Sequence, residues 1–159
     1  MQIETSRFGR LALDDGTCDL PPDDALPAGG SLDVVEIAED ATALARVAAL
    51  LDRLPDLVTA ARTRMADAPK AIDFVPGWLE EEAPEVFAEL FPGATDADTV
   101  PVSAVIAAFR PARLWAGLDD EEEGPTLTLD FMLSDEIDQV YGAYFSLADG
   151  RLIEAGIES

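Results

Sequence analysis

The sequence contains no histidine and only one cysteine, Cys18, among its 159 residues. Without histidine, the chain lacks the commonest general base, the usual serine and cysteine triads and the ligand found in most zinc sites. Acidic neighbours raise the pKa of a thiol, so we expect Cys18 to be a poor nucleophile. A single thiol also has no partner for an internal disulfide, which fits a reducing compartment.

Further absences concern membranes, phosphate groups and metals. No stretch approaches roughly 18 uninterrupted apolar residues, and residues 1–7 do not resemble a signal peptide, so we expect no membrane span and a cytoplasmic location. Gly29-Gly30 lacks the lysine of a phosphate-binding loop. Asp96-Ala97-Asp98 begins like a calcium loop, but Pro101 stands where glycine is required. We therefore predict that the protein is not an enzyme and binds no metal or cofactor.

Basic residues are scarce, because 33 acidic residues face only 10 basic ones and the net charge is −23. Such a surface repels phosphate backbones and anionic lipid heads, so we expect neither nucleic acid nor membrane as a partner. The charge favours a basic protein partner or a cation. The alternative is a source organism whose whole proteome is acidic, as in salt-loving microbes. Half of the basic residues lie within residues 41–70, where we expect them to neutralise nearby carboxylates.

Two acidic runs, each near a tryptophan, are the candidate partner-binding residues. Charge runs are usually solvated surface, but complementary charge also speeds the encounter with a basic partner. Tryptophan is enriched at binding hot spots, although it is more often a core residue. The candidates are Trp78 with Glu80, Glu81 and Glu82, and Trp115 with Asp119, Asp120, Glu121, Glu122 and Glu123.

A carboxylate pair is the remaining catalytic alternative, because two carboxyl groups suffice for glycosidase-type acid–base chemistry. Asp130 and Glu154 lie on strands that the pattern predicts to be neighbours, so they would share one face. We interpret them as part of a solvated face. A hydrolase that uses only carboxylates is therefore the last of the functions considered.

The pattern predicts strands at residues 8–13 and 32–37, a turn at Asp14-Asp15-Gly16 and an irregular loop over residues 17–30. Helical spacing of apolar residues follows. Prolines divide it, because proline suits the first turn of a helix but not its interior. The predicted helices cover residues 41–53, 55–67, 72–91 with a break at Pro84, and 99–109.

The last third of the chain predicts a β-meander. Its candidate strands are residues 112–118, 126–133, 139–147 and 151–157, the last three with alternating apolar residues. Asp149-Gly150 predicts a hairpin turn with two positive φ angles. Segregated helices and strands indicate one α+β domain over residues 1–159, an antiparallel β-meander sheet covered on one face by the helices. We expect the N-terminal strands to extend the same sheet.

Several short segments, chiefly within residues 126–159, form a recognisable set. They are Phe8-Gly9-Arg10-Leu11, Leu129-Asp130-Phe131-Met132-Leu133 with Ser134-Asp135-Glu136-Ile137-Asp138, Asp149-Gly150, and Ile157-Glu158-Ser159. Together they resemble an uncharacterised family of small bacterial domains of unknown function, whose members look like the immunity-type proteins found beside toxin genes. That family usually carries tyrosine where this chain has Phe131, and no catalytic residues are assigned to it.

Our leading hypothesis is a protein-binding module that neutralises a basic toxin by stoichiometric binding, as an immunity protein does. The acidic runs would steer the basic surface in, and a buried aromatic anchor would hold it. The alternative is a small acidic chaperone of a secretion system. Such chaperones usually form homodimers and bind extended hydrophobic segments, so a homodimer is the oligomer to test for.

Overall fold

The structure is a computed structural model that describes residues 1–120 and 124–158, with the side chains of Asp119 and Asp120 outside the described part. The strands are β1 Gln2–Thr5, β2 Gly9–Ala12, β3 Thr17–Leu20, β4 Gly30–Asp33, β5 Arg110–Asp120, β6 Gly124–Met132, β7 Val140–Ser146 and β8 Leu152–Glu158. The helices are α1 Ala41–Leu51, α2 Leu54–Asp67, α3 Val75–Glu82, α4 Pro84–Leu90 and α5 Val102–Ala108.

The central segment forms helices where the sequence predicts them. Asp40 caps α1, because its side chain accepts the Ala43 N–H at 3.0 Å. Pro55 lies in the first turn of α2 and Pro84 in the first turn of α4, so both predicted breaks are confirmed. None of the helices in the described part of the chain is both long enough and apolar enough to cross a membrane.

Six strands form one sheet in the order β3-β4-β5-β6-β7-β8. All neighbours are antiparallel except β4 and β5, which are parallel. The predicted α+β fold with a C-terminal meander is therefore confirmed. The N-terminal strands extend this sheet only in part, because β1 and β2 pair with each other in a separate two-stranded sheet.

Three local predictions are wrong. The strand predicted at residues 32–37 ends at Asp33, because the Asp33 side chain accepts the Val35 N–H at 2.9 Å and begins a 3-10 turn at Val35–Ile37. The segment predicted as an irregular loop contains β3. Gly150 has a positive φ of 76° but Asp149 does not, so the β7–β8 connection is a longer loop closed by the Gly150 N–H on the Ser146 carbonyl at 2.7 Å.

The helices pack on one face of the sheet. On α2, the Arg62 guanidinium donates to the Phe109 carbonyl at 3.2 Å and lies 5.9 Å from the centre of the Phe131 ring. Alternate strand residues point towards the helices and form the buried core: Leu114, Ala116, Leu127, Leu129, Phe131, Tyr141, Ala143 and Phe145. The residues between them point to the other face, which is polar and carries the candidate site.

Candidate functional site

The register of the strands assembles a row of polar and aromatic residues that we call the polar face. Successive strands contribute Asp19, Asp33, Arg110, Arg113, Trp115, Thr126, Thr128, Asp130, Gly142, Tyr144, Glu154 and Glu158. The face thus holds five carboxylates and two guanidinium groups. Its acidic residues on β3, β4 and β8 are exposed, whereas Asp130 on β6 is buried.

An aromatic pair lies at the centre of the polar face. Trp115, Thr128 and Tyr144 occupy consecutive positions across β5, β6 and β7. The two rings lie 6.1 Å apart and nearly perpendicular, at 83°, which is a favourable edge-to-face geometry. Both aromatic side chains are half-buried, and Thr128 between them is 0% exposed.

Asp130 is a buried carboxylate, with 5% of its surface exposed. One oxygen, Oδ2, pairs with Arg113 Nη2 at 3.2 Å. Burial raises the pKa of the Asp130 carboxyl, and the nearby Glu158 carboxylate raises it further. The Arg113 charge lowers the same pKa, as do hydrogen bonds from Arg113 and Trp115, but burial prevails. Asp130 therefore holds its proton more tightly than an ordinary aspartate.

A second carboxylate reaches towards the same place. Glu158 accepts a hydrogen bond from the Tyr144 hydroxyl through Oε1. A Cβ atom on Gly142 would lie 3.4 Å from Glu158 Oε2 and 3.5 Å from Asp130 Oδ1. The two carboxylates therefore converge over Gly142, which is buried, and the gap left by the missing side chain is about the size of one methyl group.

A groove of about 280 Å³ lies beside this space. Its described lining is Thr126 on β6, Tyr144 on β7 and the β8 segment from Ile153 to Glu158. A bulge in β8 places Ile153 here, because Phe145 pairs with Leu152 while Tyr144 pairs with Glu154. The sequence alternation predicted Ile153 on the same side as Ala155 and Ile157, and the bulge overturns this part of the prediction.

Three buried oxygens along β6 have no hydrogen-bond partner among the described residues. They are Thr126 Oγ1, Thr128 Oγ1 and Asp130 Oδ1, on alternate residues of one strand and hence on one face. Buried polar atoms are normally paired, and each unpaired one costs free energy. The polar face therefore offers acceptors that the described part of the chain leaves unused.

The two tryptophans predicted as anchors lie in different parts of the fold. Trp78, on α3, is half-buried and packs against the hydrophobic core. Trp115 lies on the polar face beside Tyr144. Only Trp115 is therefore placed among the carboxylates described above.

The acidic runs lie apart as well. Glu80, Glu81 and Glu82 are exposed near the end of α3, and Glu80 accepts the Ala97 N–H at 3.0 Å, which holds a neighbouring turn. Glu82 shares a depression with Glu136, beyond the Met132 end of β6. Asp119 and Asp120 end β5, at the other end of β6, and their side chains and Glu121, Glu122 and Glu123 lie outside the described residues. The nine residues of β6, at about 3.4 Å each, separate the two runs.

The structure corrects the predicted pairing of Asp130 with Glu154 and refines the prediction for Cys18. Asp130 and Glu154 are not on neighbouring strands, because β7 lies between β6 and β8. Asp130 is buried rather than solvated, and the carboxylate that it meets is Glu158. The pKa of the Cys18 thiol is raised, as expected, but chiefly by burial, with the Asp19 charge second.

Sequence reasoning missed Arg113, Gly142, Tyr144 and Glu158 as site residues. The alternation predicted for β7 does place Gly142 and Tyr144 opposite the apolar face, but the sequence predicts no alternation for the strand of Arg113. Nor does it give the order of the strands or the direction in which the Glu158 side chain turns. No group of three or more Cys, Asp or Glu residues suited to a metal ion occurs in residues 1–120 and 124–158.

Comparisons of the chain with protein-family models, with curated proteins and with solved structures found no match. The resemblance to a family of small bacterial immunity-like domains stays a prediction from the sequence.

Proposed function

We propose that the protein is a stoichiometric protein-binding module that takes up a basic protein on its polar face. The observation that carries the proposal is the arrangement on this face, where Trp115 and Tyr144 lie between exposed carboxylates on both sides. Asp19 and Asp33 flank the aromatic pair through β3 and β4, and Glu154 and Glu158 flank it through β8.

This arrangement has the anatomy of an interface. Protein interfaces combine an aromatic centre with a polar rim, and a few large side chains at the centre carry most of the binding energy. The half-buried Trp115 and Tyr144 supply such a centre. The carboxylates around them attract a basic surface and speed its encounter, because they add locally to a net charge of −23.

The biological role that we propose for this binding is neutralisation of a basic toxin by occlusion, as immunity proteins do. The acidic run Asp119 to Glu123 comes between the body of β5 and the start of β6 in the sequence, and its side chains lie outside the described residues. A toxin gene next to the gene for this chain is the expected neighbourhood.

The test compares two variants that lose the same charge in different places. The first carries Asp19→Asn, Asp33→Asn, Glu154→Gln and Glu158→Gln on the polar face. The matched control carries Asp67→Asn, Asp73→Asn, Glu85→Gln and Glu89→Gln at exposed positions of the helical segment. The partner is first isolated from lysate of the source organism on immobilised protein, and association rates are then measured at rising salt concentration.

We expect the polar-face variant to associate more slowly than the control and to show a weaker salt dependence. Raising the salt from 0.1 M to 1 M shortens the Debye length from ~10 Å to ~3 Å, so the difference between the two variants should shrink as salt is added. Equal rates for the two variants would show that only the overall charge matters and that the polar face is not the docking surface.

A further inference from the structure

We propose that the outer edge of β8 receives one extended segment of the basic partner, which joins the sheet as an added strand and alternates between basic and apolar residues. This inference rests on the proposed function, because it names the part of the partner that would lie beside the polar face. The receiving segment is the regular part of β8, residues 154–158, which we call the β8 edge.

The β8 edge has unused pairing capacity. β8 is the last strand of the six-stranded sheet and, within the described part of the chain, pairs only with β7. A strand at the end of a sheet uses half of its backbone groups, so alternate residues of β8 turn their N–H and C=O groups outward. The strand is seven residues long and contains neither proline nor lysine, which often protect such edges. Another extended chain can therefore pair with it.

The opposite edge of the sheet is protected. β3 has only four residues, and Pro21 and Pro22 follow it directly. Proline has no backbone N–H to donate, and a short strand offers few pairing positions. Thr17, the first residue of β3, already exchanges two backbone hydrogen bonds with Asp14, at 2.8 and 3.1 Å. An added strand therefore has a place at β8 and not at β3.

The hydrophobic core is incompletely covered along the β8 edge. Tyr141 and Ala143 of β7 face the helices and are 1% and 0% exposed. Their partners on β8, Ile157 and Ala155, face the same side and pack against the core, but both are only half-buried. Apolar side chains on a neighbouring strand would remove the rest of this surface from water. The residues of an added strand that face the helices are therefore expected to be apolar.

The other side of the β8 edge is acidic. Glu154 and Glu158 are both exposed on the polar face. Between them, a Cβ atom on Gly156 would meet no atom within 4 Å, so the surface between the two carboxylates is open. Opposite charges on neighbouring strands stabilise their pairing. The residues of an added strand that face this side are therefore expected to be lysine or arginine.

The groove of about 280 Å³ follows the same edge. Its lining includes every residue of β8 from Ile153 to Glu158. Consecutive residues of a strand point to opposite faces, so a groove lined by all of them runs along the backbone of the strand. Thr126 and Tyr144 line it as well, so it continues onto the polar face. A strand paired with β8 would thus place its basic side chains near the aromatic pair.

A second copy of this chain is the competing occupant of the edge. If two β8 strands paired antiparallel about Gly156, Glu154 of each copy would lie opposite Glu158 of the other. Each copy also carries a net charge of −23. Like charges placed opposite each other destabilise a strand pair, so the carboxylates that attract a basic strand also oppose self-pairing.

The experiment uses the whole protein and synthetic peptides with blocked ends. The alternating peptide is Lys-Val-Lys-Val-Lys-Val-Lys, and the block peptide has the same composition with all lysines before the valines. Two further peptides are N-methylated versions of the alternating peptide, one on the valines and one on the lysines. N-methylation removes a backbone donor but keeps the charge and the side chains. Affinity and amide hydrogen exchange along β8 are measured by NMR.

We expect the alternating peptide to bind saturably and to slow the exchange of those β8 amides that exchange fast in the protein alone. The block peptide should bind at least about fivefold more weakly. One N-methylated peptide should bind like the unmodified one and the other at least about tenfold more weakly, because only one set of alternate N–H groups faces β8. General attraction between opposite charges would not distinguish the two.

Two protein variants test the acidic side of the edge. Glu154→Lys places a lysine on the β8 edge and should weaken the alternating peptide about tenfold, because it replaces an attraction by a repulsion. Glu85→Lys on α4 is the matched control, since Glu85 is also exposed and the net charge changes equally. It should change the affinity less than about twofold.

Any of four results would overturn the inference: no saturable binding of the alternating peptide, equal binding of the two N-methylated peptides, saturation that leaves the exchange of all β8 amides unchanged, or equal losses in the two variants. A dimer of the protein alone that protects the same amides would assign the edge to a second copy and overturn it as well.

The proposed function fails differently. If the isolated partner binds in a way that depends on the polar-face carboxylates but leaves the β8 amides unprotected, the strand pairing is wrong and the docking face stands. If the alternating peptide pairs with β8 but the polar-face variant and its control associate with the partner at equal rates, the strand pairing stands and the docking face is wrong.

Discussion

Replacing Thr128 by valine should stabilise the protein, whereas the same replacement at Thr5 should destabilise it. Thr128 is 0% exposed and its hydroxyl oxygen has no partner among the described residues. Thr5 is 9% exposed, but its hydroxyl donates to the Gly9 carbonyl at 3.1 Å and accepts the Phe8 N–H at 2.8 Å. Valine keeps the shape and the β-branch of threonine, so the hydroxyl is the main difference in both cases.

The magnitudes follow from the cost of an unpaired buried polar group, about 1–3 kcal/mol. Thr128→Val removes such a group and should raise the free energy of unfolding by about this amount. Thr5→Val removes one donor and one acceptor and leaves the Phe8 N–H unpaired, so it should lower the free energy of unfolding by a similar amount. In a chain of this size each kcal/mol corresponds to about 2–4 °C in Tm.

Urea denaturation followed by circular dichroism measures both changes under identical conditions. Thr128→Ser serves as a control, because it keeps the hydroxyl and removes only a buried methyl group. It should lower the free energy of unfolding by about 1 kcal/mol. A loss of stability in Thr128→Val that matches the loss in Thr5→Val would refute the reasoning, since it would mean that the Thr128 hydroxyl is paired after all.

Two further substitutions test the same sheet. Because burial raises the pKa of Asp130, the folded protein binds this proton more tightly than the unfolded chain does. The free energy of unfolding should therefore fall as the pH rises above about 4. Asp130→Asn should reduce this fall in urea titrations between about pH 4 and pH 7. Gly30→Ala should lower the free energy of unfolding by about 1–3 kcal/mol in the same assay, because the new Cβ would clash with the Ala112 carbonyl oxygen. In the control Gly156→Ala the new Cβ meets no atom within 4 Å, so the free energy of unfolding should change by about 0.5 kcal/mol or less.

Much of the architecture is predictable from local patterns. Prolines at the first turns of α2 and α4 divide the helical segment as the sequence indicates, and alternation identifies β6 and β7. The predictions fail for one local reason and one tertiary reason. The β-branched run after Asp33 would suit a strand, but the Asp33 side chain turns the chain at Val35. β3 has only four residues and forms by pairing with β4, which no local pattern reveals.

The candidate site is harder to predict, because it is assembled across strands. Arg113, Asp130 and Gly142 are neighbours on β5, β6 and β7, yet they are far apart in sequence and belong to no motif. Alternation places Asp130 and Gly142 away from the core, whereas only the strand pairing does so for Arg113. It does not show that β7 separates Asp130 from Glu154, nor that Glu158 reaches over Gly142.

The unpaired oxygens of β6 argue that the polar face has a use beyond folding. Thr126, Thr128 and Asp130 all lie on one face of one strand, where apolar residues of similar shape would avoid the cost of unpaired polar atoms. Of the three, only Asp130 lies against a second carboxylate, that of Glu158.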